Sequence, residues 1–347
     1  MKLILAAVIA ALASTSVRAQ EPLKKPDVDA AVKNAYGKFK NLKDGKNADY
    51  IPELAKVPSD LFGIAVVTMD GQQSTAGDVD KEFSIQSISK VFTLARVLED
   101  AGPKKVVDGV GVDATGQVFN SIVAIEQHKG HEMNPLVNPG AIATTSQVKG
   151  GSPDEVWKNI IGTYSDFAGR GLSVNQPVYK SESDTNERNR AIAMLMHAYN
   201  LIAKEKDPLV ATDLYTRQCS VNVNAKDLAV MAATLANGGL NPVTGKQVIS
   251  AEHNKEILAV MATAGLYDNS GQWLFMTGLP AKSGVGGGLI AVSPGRFGIG
   301  TFSPRLDDAG NSVRGQKAIA DISDKLGGNP YAVTGAAAAP EKPQPGR

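Results

Sequence analysis

The chain has 347 residues, 43 % of them hydrophobic, with 36 basic and 35 acidic side chains and a net charge of +1. That is enough for one large or two modest packed domains, and the balanced charge, with no basic stripe or polybasic run, argues against binding to nucleic acid or an anionic membrane surface. The single cysteine, Cys219, rules out an internal disulfide, so the fold must be held by its core.

The N-terminus reads as a targeting segment. Lys2 supplies a basic start, Leu3 to Ala13 form an apolar run too short to cross a bilayer comfortably, and Val17-Arg18-Ala19 fits a small-residue cleavage site. Residues 1–19 are therefore expected to be a signal peptide, and the protein to be exported, periplasmic or secreted. Once the peptide is cut, no membrane contact is expected. An uncleaved anchor is the alternative.

Residues 28–43 place Val28, Ala31, Val32, Ala35, Tyr36 and Phe39 at helical spacing. Leu61 to Met69 is a β-branched run that stops at Asp70-Gly71, a hairpin signal, with a second strand expected near 72–78. After Lys90 the pattern turns helical, with Val91, Leu94, Val97 and Leu98 on one face, and Gly102-Pro103 ends it. Further helices are expected at 191–204, 225–236 and 251–264, and strands at 273–278, 286–293 and 296–302. Strands, then helices, then strands suggest one sheet built from both ends of the chain, with the helices as an inserted layer. Residues 20–327 then form one domain, and the Ala-, Pro- and Gly-rich residues 328–347 a disordered tail.

The chemistry-bearing stretch is Ser84-Ile-Gln-Ser-Ile-Ser-Lys90, at a strand-to-helix junction. Helix capping is the bland reading. The sharper one takes Ser87 and Lys90 as S-x-x-K. A serine hydroxyl is a weak nucleophile that needs a base, and a lysine three residues on along a helix can reach it if burial keeps the amine neutral. Lys282-Ser283-Gly284, followed by Val285 and Gly286-Gly287-Gly288, is a variant of the K-T-G element that pairs with S-x-x-K; alone it would be a plain turn. The S-D-N element of penicillin-interacting hydrolases is absent, Ser183-Asp184-Thr185-Asn186 being a near miss.

Here the chain resembles the serine-dependent glutaminases, which have a β-lactamase-like fold. The resemblance is carried in order by Tyr50-Ile-Pro, Gln86-Ser-Ile-Ser-Lys90, the Asn134–Ile142 and Ser181–Asn189 stretches, Met231–Gly239, Gly265-Leu-Tyr-Asp268, Leu279–Val285 and the element at 303–315. It covers roughly residues 28–325. It implies an α+β fold of the serine β-lactamase/D,D-peptidase type, with a mainly antiparallel central sheet and an inserted helical subdomain. It also implies hydrolysis of L-glutamine through a glutamyl-serine intermediate, without cofactor or metal. Ser87 is then the nucleophile, Lys90 its base, and Tyr267 the proton donor to the leaving ammonia. The backbone N–H groups of Ser87 and Val285 form the oxyanion hole. Asn138, Glu182, Asn189 and Tyr215 hold the amino-acid end of the substrate, and Gln86 and Tyr50 line the pocket further. The expected partners are the small-molecule substrate and further copies of the chain, as dimer or tetramer.

The residue types suit these roles: Glu182 can balance an α-ammonium, Asn138 and Asn189 can donate to an α-carboxylate, and a tyrosine can protonate a poor leaving group. Taken singly, Asn138 before Pro139-Gly140 could be a turn former, Glu182 and Asn189 solvated polar residues, and Tyr215 core. Pro139 departs from the family, where alanine is frequent. A β-lactamase or D,D-peptidase and a catalytically inactive amino-acid-binding protein remain as alternatives. His128 and His131 are too few for a metal site, Gly286-Gly287-Gly288 lacks the context of a phosphate loop, and Cys219, with no histidine near it in sequence, reads as a small buried apolar residue.

Overall fold

The structure is a computed structural model that describes residues 22–127 and 133–333. The targeting segment at 1–19, His128 and His131, and residues 334–347 of the expected tail lie outside the described residues.

Among the described residues seven strands form: β1 (Gly63–Thr68), β2 (Gln73–Gly77), β3 (Phe83–Ser84), β4 (Asn222–Val223), β5 (Ala281–Ser283), β6 (Gly288–Ser293) and β7 (Phe297–Phe302). Five of them make an antiparallel sheet in the order β2-β1-β7-β6-β5, and β3 pairs with β4 apart from it. The last strands therefore return to the first, as expected. β5, which carries Lys282 and Ser283, is an edge strand.

Period-two alternation sorts the sheet's side chains between two cores. Ile64, Val66, Leu289, Ala291, Phe297 and Ile299 join the cluster under the terminal helices Lys25–Phe39 and Val313–Leu326. Ala65, Val67, Ile290, Val292 and Phe302 join the cluster under the central helices. Helix Ala225–Ala236 lies directly on β7. A Cβ on Gly298 would stand 2.1 Å from Ala233 N, and one on Gly300 2.4 Å from Ala229 N. Alanines facing glycines let the two backbones touch, which explains why this helix is buried all round. A separate cluster, including Ile142, Ile192, Met196, Ala211, Tyr215 and Cys219, holds together the helices Asn138–Ser146, Glu187–Ala198 and Pro208–Cys219.

Two expectations are corrected. Residues 273–278 belong to a helix, Ser270–Thr277, capped by left-handed Gly278 at φ +69°. Its run Trp273-Leu-Phe-Met buries Trp273 and leaves Phe275 91 % exposed, and so short an apolar run does not reveal its own period. The helix expected at 191–204 is Glu187–Ala198; left-handed Asn200 at φ +63° turns the chain so that Leu201 and Ile202 drop into the helical core. The first part of the expected tail is also held: Gly328 O accepts from Ser293 Oγ at 2.7 Å.

Candidate active site

The strand-to-helix junction is tightly constrained. Ile85 N donates to Val221 O at 2.8 Å, residues Gln86–Ile88 make a single 3-10 turn, and the helix Ser89–Ala101 follows. Gln86 is left-handed at φ +52°, a costly conformation for a residue with a Cβ. Its side-chain amide secures it, donating to Ser84 Oγ at 3.0 Å and to Glu182 Oε1 at 2.5 Å. No serine side chain caps this helix, so the capping reading fails. Ser84 is engaged by Gln86, and Ser89 is fully buried with its hydroxyl 3.7 Å from Cys219 Sγ. Ser87 lines a cavity of about 240 Å³.

Lys90 is buried, and its Nζ donates to Asn138 Oδ1 at 2.7 Å. The same oxygen accepts from Tyr215 OH at 3.0 Å, while Asn138 Nδ2 donates to Asn189 Oδ1 at 3.1 Å. The lysine's recorded polar contact is thus a neutral amide, and burial lowers its pKa to about 8. A buried amine that loses its proton near neutrality can act as a base.

Tyr267 meets Ser87 through its phenol. It is left-handed at φ +51°, and its phenol hydrogen-bonds with the Ser87 side chain and donates to Ser283 O at 3.4 Å. Burial pushes the phenol up to about 12, so it carries its proton at neutral pH. The Lys282 amine stands 4.2 Å from the centre of the Tyr267 ring. It donates to Gly265 O at 2.9 Å and to Ser283 O at 2.8 Å, so Lys282 and Tyr267 share one acceptor. Burial and the nearby Lys90 hold the Lys282 pKa well below the usual lysine range.

Val285 lies between two glycines pressed against the junction. A Cβ on Gly284 would stand 2.7 Å from Ile85 O and 3.4 Å from Ser87 N, and one on Gly286 2.9 Å from Ser84 O. Only glycine tolerates that approach, which brings the backbone around Val285 beside that of Ser87. An N–H pair there is the arrangement an oxyanion requires.

The cavity gathers Tyr50, Gln86, Ser87, Asn138, Glu182, Asn189, Tyr215 and Val285, all expected from the sequence. Tyr50 stands at its rim, 56 % exposed. Tyr267 borders an adjoining cavity and meets the site through Ser87. Burial raises the Glu182 carboxyl to about 7, partly offset by the Gln86 hydrogen bond. Cys219 also lines the cavity, but burial pushes its thiol up to about 12, so it stays protonated and is a poor nucleophile.

Sequence reasoning missed four residues. Phe119 packs its ring 5.1 Å from that of Tyr267, and its carbonyl accepts from Asn138 N at 2.7 Å. Arg188 Nε donates to Asn120 O at 3.0 Å, tying the same segment to the helical layer. Lys282 was read only as part of a motif, and Asn186 only as part of a near miss. Nothing local marks Phe119, and Arg188 appeared only within the Ser181–Asn189 stretch. Among the described residues no group of three or more His, Cys, Asp or Glu side chains is placed to hold a metal ion.

The sequence profile of a family described as Glutaminase matches residues 45–331. A glutaminase from Colwellia psychrerythraea is 56 % identical over 306 residues, covering 88 % of this chain and 98 % of that one. A glutaminase from Mycobacterium ulcerans is 54 % identical over 299 residues, covering 86 % and 93 %. Among solved structures, a probable glutaminase, ybaS, superposes with a TM-score of 0.88 at 48 % identity, covering 90 % of this chain and 100 % of that one. A probable glutaminase from Bacillus subtilis, complexed with 6-diazo-5-oxo-L-norleucine, gives 0.78 at 29 % identity, covering 90 % and 99 %.

Proposed function

The chain belongs to the glutaminase family and hydrolyses L-glutamine to L-glutamate and ammonia, and we propose that it does so through a glutamyl ester on Ser87. The observation that carries this mechanism is Lys90, buried against a neutral amide three residues after a serine that faces the cavity. With a pKa of about 8, roughly a tenth of Lys90 is neutral at pH 7. That fraction takes the Ser87 proton as Oγ attacks the side-chain amide carbon. The N–H groups of Ser87 and Val285 hold the oxyanion. As the carbon–nitrogen bond breaks, Tyr267 gives its proton to the departing nitrogen, which leaves as ammonia. The Lys90 proton restores the phenol. Water then attacks the ester, and L-glutamate leaves with Ser87 reprotonated.

Glu182 pairs with the substrate α-ammonium, and the Asn138, Asn189 and Tyr215 cluster orients the α-carboxylate. The Bacillus subtilis protein is complexed with 6-diazo-5-oxo-L-norleucine, an amino acid with a diazoketone where glutamine has its amide, which supports a glutamine-shaped ligand for this fold. Membership of the glutaminase family replaces the penicillin-interacting and binding-protein alternatives.

Ser87→Ala is expected to lower ammonia release from glutamine by orders of magnitude, while Ser84→Ala and Ser89→Ala stay folded and active. Near wild-type activity in Ser87→Ala would remove the acyl-enzyme. The apolar run after Lys2 and the Val17-Arg18-Ala19 site support export, which N-terminal sequencing of the secreted or periplasmic protein would test. Exposed Phe275 and Met276 support a homo-oligomer, which sedimentation would test.

A further inference from the structure

Asn186 stands at the N-terminal cap of the helix Glu187–Ala198, where an asparagine ordinarily accepts from a backbone N–H of the first turn. It does not do so here: its side chain makes no cap hydrogen bond. The amide nitrogen instead donates to Thr216 Oγ1 at 3.1 Å. Thr216 has one hydroxyl proton, and that proton goes to Thr212 O at 2.9 Å. Thr216 can therefore only accept from Asn186, which fixes the amide orientation. The consequence is a carbonyl oxygen, Asn186 Oδ1, that is buried and has no partner among the described residues. Asn186 is 8 % exposed and lines the Ser87 cavity together with Glu182.

An orphaned acceptor costs free energy unless a ligand satisfies it. The substrate brings three N–H donors on its α-ammonium. The three N–H bonds diverge tetrahedrally from one nitrogen, so the single carboxylate of Glu182, whose Oε1 also accepts from Gln86 Nε2, cannot meet all three. On the glutamine reading of this site, we propose that Asn186 Oδ1 is the second acceptor for the substrate α-ammonium, so that Glu182 and Asn186 together select a free α-amine.

The test compares L-glutamine with glutaramate, which is glutamine without its α-amine, in wild type and in Asn186→Leu, a variant of similar volume with no polar atom. Glutaramate is followed as a substrate, or as a competitive inhibitor if it is not turned over. For glutamine, kcat/KM is expected to fall roughly ten- to a hundredfold, the size of a hydrogen bond to a charged group, with the glutaramate constant unchanged. Equal losses for both compounds would show that Asn186 only supports the fold, and no loss for either would show that its oxygen meets no substrate; both overturn the proposal. If the leucine variant does not fold, Asn186→Ala gives the same comparison with the same readings. A wild-type protein that releases no ammonia from glutamine would instead sink the glutamine reading, which separates that failure from this one.

Discussion

Lys90 Nζ donates to the neutral Asn138 Oδ1 at 2.7 Å, and burial lowers the lysine pKa to about 8. In the proposed mechanism the neutral amine is the working form, so kcat/KM for glutamine should rise with pH through about 8, as the free enzyme loses the Lys90 proton. Asn138→Asp keeps an oxygen in place but makes it negative, which favours the ammonium and raises the lysine pKa. The rise should then move to higher pH, with less activity at neutrality. Lys90→Arg, which cannot deprotonate, should be folded and inactive. An unshifted profile in a folded Asn138→Asp would mean that a group other than Lys90 titrates.

Burial raises the pKa of the Glu182 carboxyl to about 7. An α-ammonium beside it favours the carboxylate, so binding glutamine below that pH must release a proton. Calorimetry of L-glutamine binding to the non-hydrolysing Ser87→Ala, at about pH 6 in two buffers of different ionisation enthalpy, should show this release. Glu182→Gln should abolish it and cost about 2–5 kcal/mol in kcat/KM for the active enzyme. A heat independent of buffer would place Glu182 away from the ammonium.

Lys282 and Tyr267 share Ser283 O as acceptor, and the amine packs on the phenol ring, so Lys282 positions the phenol that the proposed mechanism uses as proton donor. Lys282→Met should lower kcat for glutamine on the order of 10²-fold with KM little changed. A γ-p-nitrophenyl ester of glutamate, whose leaving group needs no proton, should be hydrolysed nearly as fast as by wild type. Equal losses on amide and ester would mean that Lys282 acts on the fold or on the oxyanion and not through Tyr267.

Arg314 is fully buried beside the start of β1 and the end of β7, its guanidinium donating to Ser303 Oγ and to the carbonyls of Lys40, Ser59, Asp60 and Leu61. Arg314→Met would strand those acceptors and should cost about 3 kcal/mol or more of stability. Denaturant unfolding measures it; a midpoint within error of wild type would mean that water replaces the guanidinium without penalty.

Features whose cause is local were legible in the sequence. The β-branched run ending at Asp70-Gly71 is β1 and its hairpin, and the Ala-rich 225–236 segment is the buried helix on β7. S-x-x-K and K-S-G could be read as a pair because each is set by a short backbone segment, a turn entering a helix and an edge strand. The run at 273–278 misled because it is too short for its period to show. Phe119 had no signal at all and Arg188 none beyond its place in the Ser181–Asn189 stretch, since both meet the site through contacts to a distant backbone.

Residue types and their order along the chain were determined by the sequence itself: a serine and a lysine three apart, a late K-S-G, and polar residues suited to an amino acid. What each group can do was decided by the tertiary structure. Gln86 meets Glu182 across 96 positions and Lys90 meets Asn138 across 48, and neither distance is encoded in either segment alone. The Lys90 pKa falls to about 8, and the Asn186 side-chain oxygen is left without a partner, only after other segments have removed water from around them. Desolvation is a property of everything packed around a group, and a linear pattern does not contain it.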